Sequence, residues 1–219
     1  MIIMNDQPTI FIVDDDASVR TGLSRLSSAL GFQVETYCSA EDFLARERYE
    51  GPGCLVLDVR MPGLTGMDLQ EELAKAGSSL PIVFITGHGS IPMGIRAMKM
   101  GAVDFLQKPF DDNELLEAIS SAVEKHHEIL NKQAEKRDAR RRLDLLSPRE
   151  YQIFRHIITG MLNKQIGHCL NIAEKTVKVH RGRVMEKLGA SSVADLVRLA
   201  EKAGVEQRSN ECISLHPDQ

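Results

Sequence analysis

Thr9-Ile10-Phe11-Ile12-Val13-Asp14-Asp15-Asp16 is an unbroken β-branched and apolar run that stops on three carboxylates. Five such residues without polar alternation read as a strand buried on both faces, the signature of a parallel sheet covered by helices. The acids then stand at the carboxyl end of that strand, where open α/β sheets place their ligand sites.

The same pattern recurs along the first 125 residues. Further strands are expected at 33–37, 54–57, 82–85 and 104–106, with helices at 17–30, 40–46, 66–76 and 91–100 and a fifth starting near Asp111. Five β/α alternations with right-handed crossovers predict a doubly wound, five-stranded parallel sheet of the flavodoxin-like α/β class. That topology brings Asp14, Asp15 and Asp16, Asp58, Thr86 and Lys108 to one rim. Crowded carboxylates repel, and a hard oxygen-ligand site of this kind suits Mg2+ with retained waters. An Asp nucleophile beside a metal, an ammonium and a hydroxyl is what phosphoryl transfer to a carboxylate requires. A lone Asp at a strand end is usually a turn former. Convergence of acids, hydroxyl and lysine from four strands argues for a site instead.

No Gly or Pro occurs from Asp111 to Arg142, so one long helix is expected there. Its apolar stripe fades after Leu130 into Lys132, Lys136, Arg137 and Arg140 to Arg142, which predicts a solvated connector. Ser147-Pro148-Arg149-Glu150 is a capping box with Pro at the first helical position, and a second domain starts there. Four short helices follow at 148–159, 163–170, 174–187 and 191–203, and the middle pair has helix-turn-helix proportions. Lys175, Lys178, Arg181, Arg183 and Lys187 load one of them with cations suited to a major groove, while Val177, Val184 and Leu188 would face the core.

Charge follows the same division. Residues 1–125 hold 19 acids and 10 bases, a balance of −9, and residues 126–219 hold 12 acids and 17 bases, a balance of +5, together giving the net −4. A basic part on an acidic one suggests a polyanion-binding module. Apolar runs such as 81–85 fall far short of the roughly 20 residues that span a bilayer. Met1–Met4 has no secretory pattern, so a cytoplasmic protein without membrane contact is expected. Cys38, Cys54, Cys169 and Cys212 form no CxxC pair, which favours reduced thiols over a disulfide framework or zinc site.

These residues resemble the two-component response regulators of the NarL/FixJ type, over nearly the whole chain. The likeness is carried by Ile12-Val13-Asp14-Asp15-Asp16, Leu57-Asp58-Val59-Arg60-Met61-Pro62-Gly63, Thr86-Gly87-His88-Gly89, Gly101-Ala102 with Asp104-Phe105, and Lys108-Pro109-Phe110. In the C-terminal part Leu146 to Glu150, Asn163 to Ile166 and Lys175 to His180 resemble the LuxR-type output domain. The phrases around Val179-His180-Arg181 are similar to the FixJ-like subgroup, and the chain is similar to regulators of aromatic catabolism such as StyR and TodT. By that resemblance the chain comprises a receiver domain at 1–125, a helical linker at 126–146, a helix-turn-helix DNA-binding domain at 147–206 and a flexible tail at 207–219.

The resemblance also implies roles. Asp58 is the phosphoacceptor, Asp14 and Asp15 form the acidic pocket, and Mg2+ is held by Asp15, Asp58 and the backbone carbonyl of Arg60, with Asp14 acting through water. Thr86 and Lys108 contact the phosphoryl group, the Lys108–Pro109 peptide is cis, and Asp16 supports the pocket. Thr86 and Phe105 form the switch, and the face around the fourth helix, including Met93, Met98 and Met100, serves dimerisation. Lys178 and Val179 face bases, Lys164 and Thr176 contact phosphates, and Lys175, His180, Arg181 and Arg183 complete the DNA surface. Gly182 departs from the pattern where some relatives carry Lys, and Ala173 stands where a Ser often caps the helix. The implied partners are a sensor histidine kinase, double-stranded promoter DNA, RNA polymerase and a second copy of the chain on phosphorylation. The expected protein is a transcription factor, not an enzyme. The rival reading keeps DNA binding but makes the receiver a phosphorylation-independent dimerisation module. An aspartyl phosphatase fits less well, because Arg60 occupies the place of its second Asp.

Overall fold

In the computed structural model, which describes residues 7–47, 49–87 and 90–206, the chain divides into two compact units, Met1–Leu130 and Asn131–Gln219. The readings made above for Met1–Met4, His88-Gly89, Cys212 and the tail 207–219 lie outside the described residues.

The first unit alternates β1 (Thr9–Val13), α1 (Ala17–Ala29), β2 (Gln33–Tyr37), α2 (Ala40–Leu44), β3 (Gly53–Asp58), α3 (Gly66–Lys75), β4 (Ile82–Thr86), α4 (Ile91–Lys99) and β5 (Asp104–Gln107), followed by α5 (Asp112–Leu143). Its strands pair in parallel in the order β2-β1-β3-β4-β5, the doubly wound arrangement expected from the alternation, with its switch point between β1 and β3. Every residue of β1, β3 and β4 is buried, because helices cover both faces. The edge strand β2 instead exposes Gln33 and Glu35, polar groups that blunt an open edge.

Side chains alternate between two apolar layers, as the strand period of two requires. Phe11, Val13, Leu55, Leu57 and Phe84 pack with Phe43, Leu69, Leu73 and Ala97. On the other face Ile10, Ile12, Val56, Val83 and Ile85 pack with Leu23, Leu115, Ile119 and Ala122. His126 of α5 is buried, and the Gly53 N–H donates to its Nδ1 at 3.0 Å, which ties this helix to the start of β3.

The second unit contains α6 (Pro148–Ile158), α7 (Asn163–Leu170), α8 (Glu174–Leu188) and α9 (Val193–Ala203). The expected capping box opens α6: Ser147 Oγ accepts from the Glu150 N–H and the Glu150 carboxylate accepts from the Ser147 N–H. The α7–α8 turn uses Asn171 at φ 51°. It also needs Gly167, where a Cβ would lie 2.8 Å from the Ile172 carbonyl oxygen. Ile153, Phe154, Ile157, Ile166, Val177, Val184, Leu188, Leu196 and Ala200 form the core of this unit, so the apolar face expected for α8 is the one buried.

Two expectations are corrected. The last turns of α5 are not a wholly solvated connector, because Ala139 and Leu143 are buried in the core of the second unit together with Leu146. Their i, i+4 spacing sits among arginines whose long stems leave one narrow apolar stripe free to pack. Among the cysteines, Cys38 and Cys54 are free thiols, but Cys169 is disulfide-bonded.

Candidate functional site

Strand ends and one lysine build the site of the first unit. The Lys108 ammonium, just past β5, lies 2.7 Å from Asp14 Oδ2 at the end of β1 and 3.0 Å from Asp58 Oδ1 at the end of β3. Asp14 and Asp58 are 1% and 5% exposed, and Thr86 at the end of β4 is equally buried. The Lys108 N–H donates to the Thr86 carbonyl at 2.7 Å, and the Lys108–Pro109 peptide is cis, as expected. Asp58 Oδ2 accepts the Arg60 N–H at 2.6 Å, and Asp14 Oδ1 accepts the Asp16 N–H at 2.9 Å. Each carboxylate is thereby fixed in rotation.

Burial pushes the Asp58 carboxyl above its ordinary range, against the pull of the Lys108 hydrogen bond and charge. Burial alone would lower the Lys108 ammonium, but its bonds to Asp14 and Asp58 outweigh that and hold it above its usual value. The Asp58 carboxylate is therefore more basic than an ordinary aspartate, and Lys108 holds its proton more firmly than an ordinary lysine. Among the described residues each Asp58 oxygen takes one hydrogen bond, from Lys108 on Oδ1 and from the Arg60 N–H on Oδ2.

The four carboxylates expected at this rim divide. Asp14 and Asp58 converge on Lys108, Asp15 is exposed beside them, and Asp16 is spent on capping α1. Its Oδ1 accepts from the Ser18 N–H at 2.7 Å and from the Ser18 hydroxyl at 2.6 Å. Among the described residues no three His, Cys, Asp or Glu side chains gather into a metal cage. The Arg20 guanidinium, which sequence reasoning missed, donates to the carbonyls of Asp14 and Asp15 at 2.7 and 3.0 Å and braces the acidic run.

Phe105 is half-buried, with its ring centroid 6.2 Å from that of Phe84 and its edge against Gly94 of α4. On α4 the exposed apolar stripe consists of Ile91, Ile95 and Met98. Met98 was expected on such a face, whereas Met93 and Met100 are half-buried and Met93 packs on the core.

In the second unit α8 presents Lys175, Thr176, Lys178, Val179 and Arg183 to solvent, and Lys164 is exposed on α7. His180 and Arg181 are half-buried. Arg181 donates to Asn163 Oδ1 at 3.2 Å, joining α8 to the start of α7, and His180 Nδ1 is buried with no hydrogen-bond partner among the described residues. Lys187, counted above among the cations of this helix, is instead bound to Glu150 at 2.6 Å and to the Leu145 carbonyl at 3.1 Å. Ala173 supplies no side-chain cap, as its residue type requires.

Residues 10–120 match the family model described as response regulator receiver domain, and residues 144–200 match bacterial regulatory proteins, luxR family. Nodulation protein W of Bradyrhizobium diazoefficiens is 45% identical over 92% of this chain and 89% of its own length. Response regulator protein TmoT of Ectopseudomonas mendocina is 44% identical over 91% of each chain. Among solved structures, response regulator StyR is 48% identical, with a TM-score of 0.81 over 90% of this chain and 99% of that one.

Proposed function

The chain belongs to the response regulators that join a receiver domain to a LuxR-type DNA-binding domain, and from that premise we propose that Asp58 carries the phosphoryl group that controls its transcriptional output. Proteins of this family are transcriptional regulators, not enzymes. They imply a kinase that donates the phosphoryl group and DNA that receives the output. No helix among the described residues is long and apolar enough to cross a membrane; the site of action we assign is the cytoplasm.

One observation carries the assignment of Asp58: it is the buried strand-end carboxylate held at once by Lys108 and by the Arg60 N–H. A side chain so fixed can attack phosphorus without first losing rotational freedom. In the transfer a carboxylate oxygen bonds to phosphorus while the bond to the leaving nitrogen of a kinase imidazole breaks and its electron pair stays on that nitrogen. Lys108 neutralises charge on the phosphoryl oxygens, and the Thr86 hydroxyl donates to one of them. Drawing Thr86 toward the phosphoryl group lets Phe105 move inward against α4.

The donor set suits Mg2+, because this ion keeps most of its waters and needs only one or two protein carboxylates. Asp15, Asp58 and the Arg60 carbonyl would hold it, with Asp14 reaching it through water. When bound it supplies positive charge to the transferring group.

We place the receiver at 1–125, the linker at 126–146, the DNA-binding domain at 147–206 and a tail at 207–219. The exposed Ile91, Ile95 and Met98 support a homodimer through α4 on phosphorylation. On α8, Lys178 and Val179 read bases, while Lys175, Thr176, Arg181 and Arg183 of α8 and Lys164 of α7 hold phosphates and His180 donates to the same backbone; RNA polymerase is the partner that output requires.

The test is intact-mass and size analysis of wild type and Asp58→Ala after incubation with Mg2+ and acetyl phosphate, with a DNA titration alongside. A labile phosphoryl mass, dimerisation and tighter DNA binding in wild type alone are expected. DNA binding and dimerisation without any gain in mass would establish the rival reading, a constitutive scaffold.

A further inference from the structure

The segment after Asp58 is closed at its base, where the Gly66 N–H donates to the Val59 carbonyl at 3.0 Å. Met61 is buried beneath it. Between these anchors the chain turns through Gly63 at φ +78°, and a side chain from another element reaches it. Glu41, in the first turn of α2, accepts the Leu64 N–H on Oε1 at 3.1 Å. The approach depends on glycine, since a Cβ on Gly63 would lie 2.6 Å from the same oxygen. Glu41 is exposed, so packing does not hold its carboxylate there; the Leu64 N–H, as the largest influence, keeps its carboxyl below the ordinary range. The tethered segment also contains Arg60, whose N–H fixes Asp58 Oδ2 at 2.6 Å.

We propose that Glu41 is a positioning residue for phosphoryl acceptance: by clamping the Leu64 N–H across the Cβ-free surface of Gly63 it holds the β3–α3 segment, and through Arg60 the Asp58 carboxylate, in the reactive orientation. The inference rests on Asp58 as the phosphoacceptor. The tether is a hydrogen bond to an acceptor oxygen, not an ion pair, because no cationic side chain is bonded to Glu41 among the described contacts. An amide oxygen at the same reach therefore serves.

The experiment compares the full-length wild type, Glu41→Ala and Glu41→Gln. It measures the rate of phosphoryl mass gain from acetyl phosphate with Mg2+, hydrogen exchange at the Leu64 amide, and melting temperature. Glu41→Ala is expected to expose the Leu64 amide to exchange and to slow mass gain by about two- to tenfold, the worth of one ordinary hydrogen bond, with melting little changed. Glu41→Gln is expected to restore both. If Leu64 loses protection and the rate stays at the wild-type value, the positioning role is overturned while Asp58 stands. If Glu41→Gln keeps Leu64 protected yet is as slow as Glu41→Ala, charge and not the tether acts, and the proposal falls. If wild type itself gains no mass, the assignment of Asp58 falls and the role of Glu41 with it.

Discussion

Lys108 and Asp58 face each other across 3.0 Å from the ends of β5 and β3, the two strands that flank β4, and the same ammonium binds Asp14 at 2.7 Å. It is the cation that lets two buried carboxylates stand together. In Lys108→Met, both acids keep their burial and lose this neutralisation, so the Asp58 carboxyl should rise further above its ordinary range. The rate of phosphoryl mass gain at neutral pH should fall by about 10- to 100-fold, the worth of a hydrogen bond to a charged group. A time course by intact mass, with carboxyl titration followed by NMR, checks both. A Lys108→Met variant that accepts phosphoryl groups at the wild-type rate would remove Lys108 from the site.

Glu150 gives the second unit a dependence on acid. Its bond to Lys187, and next the Ser147 N–H, hold its carboxyl down at about 2 against an ordinary value of 4.5. A depressed carboxyl stabilises the fold above its ordinary value, and that contribution disappears as pH falls from about 4.5 through about 2. Glu150→Gln should therefore melt below wild type at pH 7, and the gap should close across that window. Calorimetry of both full-length proteins from pH 7 to 2.5 reads the effect; a gap independent of pH would mean that the ion pair contributes nothing.

The strand runs and their order were legible because parallel strands buried on both faces need unbroken apolar residues, and crossover handedness leaves few arrangements. Asp14, Asp58, Thr86 and Lys108 were legible for the same reason, since each ends a strand and the topology carries strand ends to one rim. What could not be read depends on the reach of individual side chains. Nothing in Asp14-Asp15-Asp16 says that the third carboxylate caps α1. Nor does the basic face of α8 reveal that Lys187 turns back to Glu150. Glu41 lies 23 residues before the Leu64 amide it binds, a pairing that only the folded sheet creates.

Leu143 tests how far the second unit extends along α5. It is 7% exposed and packs in the core with Ala139 and Leu146. Leu143→Ala should destabilise this unit by about 2–5 kcal/mol, as buried leucine truncations do. Chemical denaturation followed by exchange at amides of α6 and α9 would show the loss. A change under about 0.5 kcal/mol, typical of surface positions, would return the end of α5 to the role of a solvated connector.

Gly182 separates helix stability from DNA contact on a single helix. It is exposed within α8, and nothing lies within 4 Å of where its Cβ would stand. Gly182→Ala should therefore stabilise the second unit by up to about 1 kcal/mol through helix propensity alone, leaving DNA affinity close to wild type. Lys178→Ala should act the other way, with melting unchanged, binding to the cognate site weakened by about 1–3 kcal/mol and base preference relaxed. Lys175→Ala should weaken binding on every sequence and reduce the salt slope by about 0.9, the share of one phosphate contact. Titrations at several salt concentrations on cognate and scrambled duplexes distinguish the three. If Lys178→Ala lost affinity equally on both duplexes, Lys178 would be a phosphate contact, and base reading would have to lie with Val179 and its neighbours.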